Sequence, residues 1–133
     1  MIFKYKRLAS GIIRPIIPIG LISDKSYAQY EVLVDSGADR CVFDSQIAEA
    51  MGLKLETGKK ELIQGITGKA EVCYILPITL EVGGHRLSIK AAFMRNISWQ
   101  YGIAGQNGFF SQFIVSFDYR KAIIELKPKF EIN

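Results

Sequence analysis

The sequence predicts an all-β, barrel-like domain with one or two short helices. Three observations carry this reading. Short apolar runs recur along the chain, separated by Gly- and Asp-containing turn clusters. A clear helix start-and-stop pattern occurs once, opened by Asp44-Ser45 and ended by Gly52. The length of 133 residues suits one core and leaves little room for a second domain.

Each element follows from local chemistry. Residues 12–22 are apolar but contain Pro15 and Pro18, which fits an edge or bent strand. Ser23-Asp24-Lys25-Ser26 is a turn cluster. Residues 30–34 alternate in part and then become continuously apolar, as a buried strand does. Residues 35–39 form a loop, and residues 41–43 a short strand leading into the capped helix. Residues 61–66 and 70–82 are extended runs, with Gly65, Thr67 and Gly68 at a flexible hairpin tip between them. Gly83-Gly84 closes a second hairpin, from which residues 85–94 return. Residues 96–100 are a polar loop holding the lone tryptophan, Trp99, and residues 101–105 are short and apolar. Residues 106–112 suit one or two helical turns. Residues 113–117 and 122–126 make a last hairpin around 118–121.

Composition excludes several classes. Apolar residues make up 49% and charged residues 23%, which is too apolar for a disordered chain. No uncharged apolar run reaches the length of about 18 residues that suggests a membrane-spanning helix. The apolar stretch at 8–23 is cut by Arg14, Pro15, Pro18 and two glycines, so neither a signal peptide nor a membrane association is expected. The net charge is +4, and Lys4, Lys6 and Arg7 account for most of it. We read residues 1–133 as one domain, with residues 1–11 as a basic N-terminal extension. A basic tail without interleaved aromatics is a weak nucleic-acid signal, and no such partner is expected. Cys41 and Cys73 fit neither a metal spacing nor a disulfide framework. They read as reduced strand or core residues in a cytoplasmic protein. His85 sits alone after a Gly-Gly turn, so no metal or cofactor is expected.

The chemistry centres on Asp35. It follows Val32-Leu33-Val34 and precedes Ser36-Gly37-Ala38, which puts an ionisable group at the end of a buried strand on a tight loop. A bare Asp-Ser-Gly is most often a turn that hydrogen-bonds its own backbone. Its surroundings decide otherwise. The segment LVDSGADRCVF resembles the active-site loop of the retropepsins, the retroviral-type aspartic proteases. Ile103-Ala104-Gly105-Gln106-Asn107, followed by Gly108-Phe109-Phe110, matches their second signature. Gly65-Ile66-Thr67-Gly68, lying between the two, looks like the tip of their flap. The resemblance covers about residues 15–128 and is closer to stand-alone cellular members than to viral ones.

The resemblance implies a single-lobe retropepsin-like barrel that works as a homodimer on peptide or protein substrates, without cofactor. Asp35 would be the catalytic carboxylate. Ser36, Gly37 and Ala38 would form the active-site loop, with the Ser36 hydroxyl bonding across the dimer. Asp39, Gly65, Ile66, Thr67, Gly68, Ile103 and Ala104 would contact substrate. Such enzymes need two carboxylates, and this chain carries one Asp-Ser-Gly, so Asp35 would meet its own copy across a two-fold axis. Many retroviral members have Arg where this chain has Gln106, so the loop brace would be a hydrogen bond or come from Arg40. The alternative is a catalytically silent dimerisation or peptide-binding module on the same fold.

Overall fold

The computed structural model describes residues 1–24, 26–64, 68–97 and 100–129. In chain order, the described residues form β1 (Ile2–Lys4), β2 (Lys6–Arg7), β3 (Ile13–Arg14), β4 (Ile16–Ser23), β5 (Ser26–Val34) and β6 (Val42–Asp44). Helix α1 (Ser45–Ala50) and a 3₁₀ turn (Leu55–Thr57) come next. They are followed by β7 (Lys59–Gln64), β8 (Ala70–Val82), β9 (His85–Met94), β10 (Gly102–Ala104), β11 (Phe113–Asp118) and β12 (Ile123–Pro128). No described helix is long and apolar enough to cross a membrane.

Six strands close on themselves in the order β4-β5-β10-β6-β9-β8, with β8 returning to β4. Closure removes free strand edges from this part of the sheet. The thirteen residues of β8 make it possible. One side of β8 pairs with β7 over Ala70–Ile75 and then with β4 over Thr79–Glu81. Its other side pairs with β9 from Cys73 to Val82. The β7–β8 hairpin therefore projects as an arm from a closed barrel.

The prolines are placed where they do least damage. β4 has neighbours on both sides only over Gly20–Ile22. Pro18 lies in the stretch paired with β5 alone, where a residue lacking N–H need not break a ladder. The edge-strand expectation thus holds for the first half of β4 and fails for the second.

The main core joins Ile17, Leu21, Val32, Phe43, Leu80 and Phe93 from the barrel with Phe109, Phe113, Ile124 and Leu126. Phe43 is its hub. It meets Tyr30 edge-on at 5.6 Å and Phe93 at 5.8 Å between ring centroids. The Tyr30 ring lies over Gly102, where an added Cβ would come within 2.6 Å of it. The Tyr30 hydroxyl accepts the Asp44 N–H at 3.0 Å. Asp44 in turn caps α1, its side chain accepting the Gln46 N–H, and Gly52 follows the helix at φ +82°.

Two details differ from the sequence reading. Residues 106–112 form turns and no regular helix. The N–H groups of Phe110 and Ser111 reach back five residues, to the Gly105 and Gln106 carbonyls. Gly108 sits at φ +110°, outside the helical region. The second helical element is instead the turn at Leu55–Thr57, stopped at Gly58. Near the chain start, β1 pairs with β12 and β2 with β3, so the basic residues Lys4, Lys6 and Arg7 lie on strands.

A buried thiol and a half-buried phenol make stability depend on alkaline pH. Burial pushes the Cys41 thiol from 9.0 up to about 11 and the Tyr30 hydroxyl from 10.0 up to about 12. Both hold their protons in the fold at pH values where the unfolded chain has lost them. Their stabilisation is therefore complete below about pH 9 and declines as pH rises through 11 to 12. Urea midpoints measured from pH 8 upward should fall across this window. Tyr30→Phe and Cys41→Ala should each flatten the fall, and an unchanged slope in both would contradict the assignment.

Candidate active site

Two parallel strands, β5 and β10, run side by side with Leu33 opposite Ile103 and Val34 opposite Ala104. Asp35 is the next residue after β5, half-buried at the end of this pair. Its N–H donates to the Ala104 carbonyl at 3.0 Å, while the Val34 N–H donates to Pro15 at 2.9 Å. The Asp35 Oδ1 accepts the Gly37 N–H at 2.9 Å, and the Asp35 carbonyl accepts the Ala38 N–H at 3.2 Å. This is the self-bonded turn that Asp-Ser-Gly favours. It leaves the second carboxylate oxygen, Oδ2, outside the turn.

A second loop locks the first. After β10, Gly105 passes so close to the Asp35 loop that an added Cβ would lie 2.3 Å from the Arg40 carbonyl oxygen and 2.7 Å from that of Ala38. Only glycine permits this approach. Beyond it, the Gln106 N–H donates to the Ala38 carbonyl at 2.8 Å and the Asn107 N–H to that of Asp39 at 2.9 Å. The Gln106 side-chain Nε2 donates to the Ser36 carbonyl at 2.7 Å. The brace is thus a neutral hydrogen bond, one of the two options the sequence left open.

Arg40 has another task. Its Nη1 lies 2.7 Å from Oε2 of Glu61 on β7, and Lys59 lies 3.5 Å from the same carboxylate. The hydrogen bond from Arg40 is the main reason that Glu61 is held below the usual carboxylate range. The pair ties the Asp35 loop to the projecting hairpin. Sequence reasoning missed Glu61. Alternation along β7 puts Glu61 and Ile63 on one face, but a partner on a distant loop has no sequence signal.

Behind the loop lies a small apolar cluster of Val42, Cys73 and Ala92, against which Ile63, Ile75, Met94 and Ile103 pack. It joins the floor of the site to the hairpin's inner face. The Cys73 thiol is raised mainly by burial, with Arg40 acting in the opposite direction.

Among the expected site residues, the structure brings Asp35, Ser36, Gly37, Ala38, Asp39, Ile103 and Ala104 into one neighbourhood. Ser36 and Asp39 are exposed, Ile103 is half-buried and Ala104 is buried. Gly68 is exposed, at φ +80°, just before β8. Gly65, Ile66 and Thr67 lie outside the described residues.

The lock predicts an ordered pair of losses. Gly105→Ala should lower unfolding free energy by about 1–3 kcal/mol or more, because backbone carbonyls cannot yield as side chains do. Gln106→Ala, which removes one exposed hydrogen bond, should cost only about 0.5–1.5 kcal/mol. Denaturant titration ranks the two, and a Gly105→Ala variant as stable as the parent would refute the steric argument.

Comparison with known proteins agrees with this geometry. The family model described as aspartyl protease matches residues 22–108. No curated protein matches the chain in a sequence search. Among solved structures, a retropepsin-like aspartic protease from Rickettsia conorii superposes with a TM-score of 0.68 at 16% identity, covering 95% of this chain and 89% of its own. The retroviral protease-like domain of Ddi1 from Leishmania major gives 0.57 at 11% identity, over 88% and 98% of the two chains. EIAV protease, complexed with the inhibitor HBY-793, gives 0.54 at 20% identity, over 70% and 82%. These likenesses show a retropepsin-like fold. With that fold around the Asp35 loop, and with the loop inside the matched span, the chain belongs to the aspartyl protease family.

Proposed function

We propose that the chain is an aspartic endopeptidase whose site is completed by a second copy, placing Asp35 against the partner's Asp35. Two carboxylates held side by side cannot both ionise, so the pair holds one proton. The ionised member takes a proton from a water molecule. The water oxygen bonds to the peptide carbonyl carbon, while the protonated member gives its proton to the carbonyl oxygen. Collapse of the resulting diol breaks the C–N bond and delivers a proton to the leaving amine. Water is consumed, and the carboxylates end as they began.

The observation that carries this reading is the fixed setting of Asp35. Its N–H is tied to Ala104 and its Oδ1 to Gly37, with Oδ2 left outside the turn. Exposed Gly37 would let a substrate backbone approach, and the β7–β8 arm, tied to the Asp35 loop through Arg40 and Glu61, would cover an extended peptide added as a strand. Ile103, Val42 and Ile63 supply an apolar wall, which favours apolar side chains beside the cut bond. Both cysteines are free and buried, which suits a reducing cytoplasm.

A mixed peptide library tests this across acidic to neutral pH. The parent should cleave, and Asp35→Asn should lose about 10²-fold or more of the rate. Equal cleavage by both would remove Asp35 from the mechanism. A stable dimer that cleaves nothing at any pH would favour the silent binding module.

A further inference from the structure

One face of the sheet runs unbroken from the floor of the site to the root of the arm. Residues directly opposite one another in neighbouring strands point to the same side of a sheet. Across β7, β8 and β9 this sets Glu61 beside Cys73 and Lys59 beside Ile75, with Ile75 also beside Ala92. Two residues further along β8, Pro77 lies on the same side, opposite Lys90. Cys73 and Ala92 belong to the apolar floor described above, and Ile75 packs on it. The floor therefore continues into a strip where Ile75 and Pro77 are flanked by two lysines, one on each neighbouring strand.

That strip lines a groove of about 570 Å³, whose walls include Lys59, Glu61, Ile75, Pro77 and Lys90. The volume suits a ligand side chain together with the atoms around it. Its charge is one-sided. Glu61, the one carboxylate in the lining, is held by Arg40 at 2.7 Å, with Lys59 at 3.5 Å. The Lys59 side chain is 78% exposed, so its remaining N–H groups stay free to donate. Lys90 is exposed and, among the described residues, has no acid within ion-pair distance. The groove thus offers an apolar strip between ammonium groups, and its own acid is already engaged.

We propose that this groove is a distal substrate subsite that selects an ionised Asp or Glu side chain, with Lys90 and Lys59 as the specificity-determining residues. This rests on the reading of the chain as a peptidase and names the substrates it prefers: peptides apolar beside the cut bond and acidic further out. A substrate peptide is the occupant because the groove shares its floor with the Asp35 site, through Ile75, and its wall with the Asp35 loop, through Glu61 and Arg40. The stem of an acidic residue rests on Ile75 and Pro77, while its carboxylate accepts from either ammonium. An amide of the same shape gains no charge pairing there, and a lysine meets like charge. On the same reading a dimer holds two such grooves. The preference for an acid should therefore appear on both sides of the cut bond.

Matched peptides that carry Glu, Gln or Lys at each position outward from the cut bond test the subsite. The parent should favour Glu over Gln in kcat/KM by about three- to tenfold at one or more outer positions, as expected for exposed charge pairs. Salt at about 1 M should erase the difference. Lys90→Glu should lose the preference for Glu and gain one for Lys at the same positions, a reversal that misfolding would not give. Ratios are read within each protein, so a general change in activity cancels. Cleavage with no preference for Glu, or a preference that Lys90→Glu leaves intact, would overturn the subsite. Anisotropy of the same peptides, fluorescently labelled and bound to Asp35→Asn, separates this inference from the reading beneath it. A parent that cleaves nothing, beside tighter binding of Glu peptides that Lys90→Glu reverses, would overturn the protease reading and leave the groove as a site for acidic peptides. Neither cleavage nor binding would overturn both.

Discussion

The peptide planes on either side of Gly105 lie so close to the loop after β5 that no side chain fits between them. The rest of the site depends on this contact. It lets the segment after β10 lie alongside the Asp35 loop as a short extra ladder, bonded from Gln106 to Ala38 and from Asn107 to Asp39. It also brings the Gln106 amide within reach of Ser36. Buried or half-buried backbone groups of the loop gain partners that the barrel strands themselves do not provide. The carboxylate is therefore positioned chiefly by main-chain bonds, which change less than side-chain contacts when surface residues vary.

Charge is kept at a small distance from that framework. The brace at Ser36 is neutral, and the Arg40 guanidinium points away to Glu61 on the hairpin arm. Because that ion pair is partly exposed, its contribution to global stability is small. Its value lies in orientation, since it spans two elements that share no ladder bonds. Beneath it, Cys73 and Val42 form an apolar layer continuous with Ile103. Loop, arm and floor thus meet through a few side chains, on a barrel whose own core is centred elsewhere, on Phe43.

Much of this was legible in the sequence wherever punctuation is strong. Gly83-Gly84 fixes both ends of its hairpin, and the extents of β8 and β9 follow from it. Asp44 and Gly52 delimit α1 in the same way. The Asp35 loop could be placed because Asp, Ser and Gly are turn residues set at the end of an apolar strand. Residues 106–112 misled because Gln106, Asn107 and Ser111 are tolerable in a helix, while Gly108 takes φ +110°, which no helical residue adopts. Residues 1–11 read as an extension because composition cannot reveal that β1 finds β12 at the far end of the chain. The Arg40–Glu61 pair is likewise a product of the fold, joining a loop to a strand that alternation alone leaves facing an unknown neighbour.

The parallel pairing of β5 with β10 has a consequence for the order of events in synthesis. Ser36 and the Gln106 amide that holds it are separated by 70 residues. A chain that has grown only to the end of β9 already contains Asp35, but not the carbonyl of Ala104 that receives its N–H, nor the glycine that admits the second loop. Non-local pairings of this kind form late, because the entropy of closing the intervening loop is lost before any contact repays it. The acid is thus made early and set in place last, so a partly synthesised chain holds this carboxylate without the frame that gives it a direction.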